Sequence, residues 1–232
     1  MYNELKKRAF DANMELYHRG LVIYTWGNVS QADRMTSAFA IKPSGVEYEK
    51  LTWQDMVVLS IENGKVLEGD LNPSSDTPTH LGLYRAFSDV GGITHTHSTF
   101  ATAFAQAGIS IECLGTTHAD QFRGRIPVTR LLTQAEIDSG YEANTALVIA
   151  EAFRDSDPMY TPGCLVKGHG PFTWGKDAMA SVYSAAVLEE VAKMAYLTKT
   201  LNPQCEELAQ RVQDKHFYRK HGKNAYYGQK KK

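Results

Sequence analysis

The chain has 232 residues and a formal net charge of −1 at pH 7, with 43% hydrophobic and 22% charged residues. These values are typical of a soluble globular protein, and the length can bury a sizeable core. A nearly neutral chain has no overall field that attracts nucleic acid or an anionic membrane, so local donors must bind any anionic ligand. Because no internal linker is visible, we expect residues 1–232 to form one domain.

The cysteines and the start of the chain indicate a cytoplasmic protein. Cys113, Cys164 and Cys205 are widely spaced and odd in number, which suits a reducing compartment better than a disulfide framework. The first residues lack the basic and then apolar pattern of a signal peptide. Residues 90–111 carry no formal charge, but their histidines, hydroxyls and glycines favour a buried strand and helix over a membrane span.

The first 70 residues predict one helix followed by antiparallel strands. Apolar residues recur at helical spacing among charges over residues 3–19. Asn63-Gly64 is a strong hairpin signal. Residues 21–24 and 38–41 predict strands, and the small residues at 25–30 predict a corner that leads into another strand. Residues 57–61 and 65–68 predict a hairpin.

From residue 77 onward, predicted helices alternate with strands. The helices cover 77–87 (capped by Ser75 or Asp76), 98–107, part of 136–153 from near Gly140, 177–201 and 204–220. The strands are the one carrying His95 and His97, then 126–131 and 164–167. This order predicts a three-layer α/β/α domain around a central mixed, largely antiparallel sheet. The lysine-rich end, 228–232, is expected to be a flexible tail.

Three histidines are candidate metal ligands. His95 and His97 are separated by one residue after an apolar run, so on a strand they would share a face. By themselves, two histidines in a threonine-rich strand are also consistent with ordinary polar residues. His169 lies between two glycines after another apolar strand. Three imidazoles would leave coordination positions open, as in catalytic zinc sites, and would also accept manganese or cobalt.

Three short segments could bind an anion without a basic surface. Each offers backbone N–H groups or hydroxyls, and glycine lets an anion approach the backbone closely. The segments are Gly27-Asn28, Ser44-Gly45 and Ser74-Ser75. Lys42 could add one positive charge. Each segment alone is also consistent with an ordinary turn.

Seven segments together resemble the L-ribulose-5-phosphate 4-epimerases, a branch of the class II aldolase and adducin-like family. Any one of them is weak evidence, but all of them in this order are specific. The resemblance runs from about residue 3 to residue 229. The segments are TWGNVS at 25–30, KPSGV at 42–46, PSSDTPTH at 73–80, HTHS at 95–98, GTTHAD at 115–120, HGPF at 169–172 and YYGQ at 226–229.

The resemblance implies a homotetramer with active sites between subunits and one zinc ion per subunit. It assigns metal binding to His95, His97 and His169, with Asp76 as a neighbouring carboxylate or further ligand. It assigns substrate and phosphate binding to Gly27, Asn28, Ser44, Gly45, Ser74 and Ser75. It gives Asp120 and Tyr227 the proton transfers on opposite sides of a sugar phosphate, with His216 reaching in from the adjacent subunit. Without the resemblance, a lone carboxylate such as Asp120 would be interpreted as a surface or cap residue. A tyrosine near the terminus would be interpreted as a packing residue.

The implied reaction is epimerisation at C4 by cleavage and re-formation of the C3–C4 bond. One departure from the pattern is Lys167-Gly168 before His169, which leaves the ligand intact but changes the adjacent wall.

An aldolase that releases its fragments is the nearest alternative, although aldolases of this family typically have Glu where this chain has Asp76. A non-catalytic, adducin-like interaction module is a second alternative.

Overall fold

Seven strands in the described part of the chain, residues 1–223 and 225–229, form one sheet in the computed structural model. Their spatial order is β4-β3-β2-β1-β5-β7-β6, and every neighbouring pair is antiparallel. Within residues 1–223 and 225–229, a parallel contact is confined to the isolated bridge between Val128 and Leu165. The strands are β1 Asn28–Asp33, β2 Ala38–Ile41, β3 Val57–Ser60, β4 Val66–Glu68, β5 Gly92–His95, β6 Gly163–Leu165 and β7 Pro171–Gly175.

Helices cover both faces of this sheet, which confirms the predicted three-layer α/β/α fold. Helices α1 and α6 pack on one face, and α2 and α5 lie on the other. None of the helices in the described part of the chain is long and apolar enough to cross a membrane. The helices are α1 Asn3–His18, α2 Thr77–Ala86, α3 Thr99–Ala107, α4 Thr116–Ala119, α5 Gln134–Ala152, α6 Ala178–Leu201 and α7 Gln210–His221.

Strand β2 shows why the core has two halves. Its side chains alternate between faces, as in any strand. Phe39 and Ile41 pack with residues of α2 and α5, whereas Ala38 and Ala40 pack with residues of α1. Because both faces are covered, all four positions are buried and the strand reads as a continuous apolar run.

Two predicted strands do not form, and one strand was not predicted. Residues 21–24 form a loop in which Val22 packs against α1 and α6, while Tyr24 has a positive φ of 54° that ends any extended run. Residues 126–131 make only isolated bridges. Strand β7 was missed because it begins with Pro171, which reads as a loop residue although proline is tolerated as the first residue of a strand.

Several helix boundaries also differ from the prediction. Helix α7 begins at Gln210 rather than at 204. Helix α5 begins at Gln134 behind a capping box on Thr133 and is interrupted at Gly140. Asp76 occupies the N-cap position of α2, but its side chain makes no capping hydrogen bond. Of the predicted tail, 228–232, residues 230–232 lie outside the described part of the chain.

The sheet brings four strand termini together at one end. Asn28, at the start of β1, pairs with His95, at the end of β5, and His95 pairs with Phe172 in β7. Strand β2 ends beside the start of β1, where Ile41 pairs with Ser30. In antiparallel strands the end of one strand lies beside the start of the next. We call this the cleft end of the sheet, because the segments that leave it line the candidate site.

Candidate active site

Three histidines converge at the cleft end of the sheet. Candidate donor atoms of His95, His97 and His169 all lie within 4.8 Å of one another. The Nε2 atoms of His95 and His97 are 3.1 Å apart. His95 is the last residue of β5, His97 follows it outside the strand, and His169 precedes β7. The prediction that both histidines of the pair lie on one strand is therefore wrong for His97, although the two rings still meet.

The local environment keeps these imidazoles neutral and sets one ring orientation. Burial lowers the pKa of His95 to about 3 and also lowers the pKa of His97 and of His169. His95 Nδ1 lies 3.0 Å from the carbonyl oxygen of Pro171. A carbonyl only accepts, so Nδ1 donates to it and Nε2 keeps its lone pair. Metal binding requires neutral imidazoles, and three of them at this spacing fit one ion of zinc size.

Helix α5 contributes two cleft residues that the sequence reasoning missed, Tyr141 and Glu142. They follow Gly140, whose φ of 142° breaks the helix. The Tyr141 hydroxyl lies 3.3 Å from His169 Nδ1, so it can orient this ring as a partner of its second nitrogen. A glycine inside a helical pattern, directly before Tyr-Glu, is the signal that could have pointed to them.

Asp76 lies in the same cleft and is held by Asn28. Asn28 Nδ2 donates to Asp76 Oδ2 at 2.7 Å and to Ser74 Oγ at 3.0 Å. Burial alone would raise the pKa of Asp76, but His95, His80 and the Asn28 hydrogen bond lower it below its usual value. Among the described residues the compact donor group consists of the three histidines. Direct ligation by Asp76 therefore stays a prediction.

All predicted anion-binding segments line this cleft, which has a volume of about 530 Å³. Two loops are joined there, because Ser44 N donates to the carbonyl of Asn72 and Ser74 N donates to the carbonyl of Lys42. Gly27 has a φ of 72°, and a Cβ added there would lie 2.8 Å from the carbonyl oxygen of His95. The segments lining the cleft are Gly27-Asn28, Ser44-Gly45 and Ser74-Ser75, and Lys42 lies among them.

Lys42 brings a buried cation to the cleft. Its side chain is almost fully buried, and Nζ donates to the carbonyl of Val46 at 2.6 Å. Nζ also lies 4.8 Å from the centre of the Tyr48 ring. Burial lowers the pKa of Lys42 to about 8. Because burial disfavours the charged form, an anion in the cleft would be a favourable partner for this ammonium.

The structure places the other predicted site residues in a second group, outside the cleft of the same chain. Asp120 lies at the end of α4 and accepts hydrogen bonds from His216 and Arg219 of α7. The ring of Tyr227 lies against Arg219 and Lys220. We call these five residues the Asp120 cluster. Burial alone would raise the pKa of Asp120, but Arg219, His216 and Lys220 lower it, so the carboxylate is charged at neutral pH.

Comparison with known proteins identifies the family. Residues 7–196 match the family described as Class II Aldolase and Adducin N-terminal domain. The chain belongs to this family. The class II aldolase fold and the histidine group together support a metal-dependent, aldolase-like enzyme.

Solved structures with this class II aldolase fold include several sugar-phosphate aldolases. An L-fuculose 1-phosphate aldolase superposes with a TM-score of 0.78 at 24% identity, covering 92% of this chain and 94% of that chain. The L-fuculose-1-phosphate aldolase from Thermus thermophilus gives 0.68 at 24% identity, covering 88% and 98%. A sugar-phosphate aldolase from Thermotoga maritima gives 0.66 at 18% identity, covering 86% and 96%. At these identities the matches show a shared fold.

We expect His97→Asn to lower the metal content of the purified protein, because it removes one of three converging nitrogens. Metal analysis after dialysis against zinc measures the effect, and a zinc titration gives the loss of affinity. His18→Asn is the matched control, since His18 is exposed on α1 and lies outside the cleft. Full zinc occupancy in the His97 variant would remove this residue from the metal site.

Proposed function

We propose that this protein is a metal-dependent L-ribulose-5-phosphate 4-epimerase, which interconverts L-ribulose 5-phosphate and D-xylulose 5-phosphate. The observation that carries the proposal is one cleft in which three neutral imidazoles lie beside the hydroxyl and glycine segments that we propose bind an anion. Two candidate proton-transfer groups, Asp120 and Tyr227, lie together on a separate surface. A phosphorylated sugar offers both the oxygens for a metal and the anion for these donors.

Epimerisation at C4 can proceed by cleavage and re-formation of the C3–C4 bond. The C4 proton is not next to the C2 carbonyl, so it is not acidic and simple deprotonation cannot invert this centre. In the retro-aldol route, a base removes the C4 hydroxyl proton and the C3–C4 bonding electrons move to C3. This gives the enediolate of dihydroxyacetone and glycolaldehyde phosphate. After the aldehyde rotates, C3 adds to its opposite face, and an acid protonates the new C4 oxygen.

The three histidines would hold the metal, and zinc is our proposal, although manganese or cobalt could bind the same donors. A bound zinc ion would supply a Lewis acid that stabilises the negative charge developing as the C3–C4 bond breaks. His95, His97 and His169 present neutral nitrogens for this purpose. Asp76, held by Asn28, adds negative charge beside the same donors.

The hydrogen-bond donors of the three anion-binding segments would bind the substrate phosphate. Backbone N–H groups and hydroxyls at a glycine-containing turn bind phosphate without a strongly basic surface, and Lys42 adds one cation. The phosphate belongs to the aldehyde fragment, so binding it keeps this fragment in place until C3 attacks again. The residues proposed for this role are Gly27, Asn28, Ser44, Gly45, Ser74, Ser75 and Lys42, all of which line the cleft.

Asp120 and Tyr227 would transfer the protons, one for each orientation of the C4 oxygen. We propose a homotetramer in which the Asp120 cluster of one subunit completes the cleft of its neighbour, with His216 beside the substrate. Support comes from the location of this cluster outside the cleft of its own chain. A charged Asp120 suits the role of base, and a phenol can donate or accept a proton.

An aldolase that releases its fragments is the second candidate, because structures sharing this fold are named L-fuculose 1-phosphate aldolase. It would use the same metal chemistry. Asp76 favours the epimerase, since the aldolases typically have a longer Glu at that position as the acid/base group. Asp120, which the epimerase resemblance includes, also favours it.

The deciding experiment incubates the zinc-loaded protein with L-ribulose 5-phosphate and follows two products separately. The epimerase proposal predicts D-xylulose 5-phosphate with little free glycolaldehyde phosphate. Accumulation of free glycolaldehyde phosphate and dihydroxyacetone would instead identify an aldolase. No turnover by zinc-loaded protein would favour a non-catalytic module.

We expect Tyr227→Phe to retain zinc and lose most turnover, because a lost proton-transfer group costs roughly 10²–10⁴-fold in rate. Steady-state epimerase rates measure the effect. Tyr226→Phe is the matched control, since this neighbour is similarly exposed, at 64% against 63% for Tyr227. Equal rates in the two variants would take Tyr227 out of the mechanism.

We expect the affinity for inorganic phosphate to fall as the pH rises through about 8 in the metal-free protein. Lys42 is charged below its pKa of about 8 and neutral above it, and only the charged form attracts an anion. A bound anion raises this pKa, so the loss extends to higher pH. Calorimetric titrations from about pH 7 to about pH 10 measure the dependence. In Lys42→Met binding should be weaker and the fall above about pH 8 should be absent; an unchanged fall would contradict the role of Lys42.

A further inference from the structure

Arg219 ties the carboxylate of the Asp120 cluster to helix α7. Its Nε donates to Asp120 Oδ1 at 3.0 Å, and its Nη2 donates to Asp120 Oδ2 at 2.7 Å. Two parallel hydrogen bonds from a planar guanidinium fix the plane and the direction of a carboxylate, whereas one bond leaves it free to rotate. The Asp120 side chain is largely buried in this contact, with 17% of its surface exposed.

The same arginine also positions the tyrosine. The backbone carbonyl of Arg219 accepts hydrogen bonds from the N–H groups of Tyr226 and Tyr227, at 3.0 and 3.1 Å. Its guanidinium carbon lies 5.3 Å from the centre of the Tyr227 ring, within the range of a cation–π contact. One residue therefore contacts Asp120 through its side chain and Tyr227 through both its side chain and its backbone.

The other hydrogen-bonding groups around Asp120 do not reproduce this double contact. Lys220 Nζ lies 3.3 Å from Asp120 Oδ2 and 4.4 Å from the centre of the Tyr227 ring. An ammonium is a point charge without the fork that matches both carboxylate oxygens. His216 Nδ1 lies 3.0 Å from Oδ1, and His221 Nε2 lies 2.9 Å from the backbone oxygen of Asp120.

We propose that Arg219 is a positioning residue that holds Asp120 and Tyr227 as one rigid pair. The inference rests on the proposed epimerase function and names the residue that makes its two proton transfers possible in one site. Inversion at C4 needs a base on one side of the substrate and an acid on the other, at a constant separation. Errors of about 1 Å in the placement of such groups can cost about 10²-fold in rate.

Arg219 acts through its two neighbours and not on the substrate. Removing it should therefore lower kcat much more than it changes KM. Its removal should also raise the pKa of Asp120, because one of the groups that lowers this pKa is lost. A base must be deprotonated to act, so the acid limb of the rate profile should move to higher pH. Arg219→Lys keeps the positive charge but loses the two parallel donors of the guanidinium. Relative to Arg219→Met, it should therefore bring the acid limb closer to the wild-type position than it brings kcat to the wild-type value.

The test compares the zinc-loaded wild type with Arg219→Met and Arg219→Lys, with L-ribulose 5-phosphate as substrate. We expect kcat to fall about 10²-fold in Arg219→Met with KM changed less than about threefold, and the acid limb to move to higher pH. Arg219→Lys should have the wild-type acid limb and a kcat still reduced several-fold. Arg211→Met is the control, since Arg211 is exposed on the same helix. Thermal unfolding and zinc content are measured for every variant.

The outcomes separate this inference from the function on which it rests. A wild type that makes no D-xylulose 5-phosphate would overturn the proposed function and the inference together. An active wild type with unchanged kcat and pH profile in Arg219→Met would overturn the inference alone. The same holds if Arg219→Lys behaves as the wild type in every measurement, because the bidentate contact would then be unnecessary. If Arg219→Met fails to fold, the kcat of Arg219→Lys decides.

Discussion

The candidate site depends on the antiparallel register of β5 with its two neighbours, β1 and β7. This register places Asn28, His95 and Phe172 in one row across the sheet. The chain leaves or enters the sheet at this row, so His97 after β5 and His169 before β7 must meet His95. The same row brings Asn28 to Asp76 and lies beside the loop that begins at Lys42. A sheet with β5 and β7 parallel would have separated the histidines by the length of a strand.

Burial gives the assembled groups their chemical character. Removing imidazoles from water disfavours the charged form, so the three rings stay neutral and keep lone pairs for a cation. The same burial disfavours the charged form of Lys42, and a nearby anion would stabilise that form. The cleft is thereby suited to hold a metal and a phosphate together in a protein with a formal net charge of only −1. The Asp120 cluster is different, because there Arg219, His216 and Lys220 of α7 keep a carboxylate ionised.

Much of the site could be predicted from the sequence, because short motifs carry their residue types locally. The sequence predicts the histidine group and the three-layer fold, and the structure brings the histidines into one cleft with the segments predicted to bind an anion. Strand β7 was missed because it begins with Pro171, and proline usually indicates a loop. His97 was wrongly placed on a strand because its two-residue spacing from His95 continues the alternation of β5, although β5 ends at His95. Tyr141 enters the cleft only through the break at Gly140. The separation of Asp120 from the histidines depends on how helix α7 packs, which no local pattern encodes.

Anomalous X-ray scattering at the zinc absorption edge, from crystals grown with zinc, tests the central claim most directly. The claim is that the row of strand ends at the cleft end of the sheet builds a metal centre from three histidines. It predicts one anomalous peak per chain, about 2.0–2.1 Å from a ring nitrogen of each of His95, His97 and His169. A map with no peak at these rings, or with zinc bound at the Asp120 cluster instead, would contradict it.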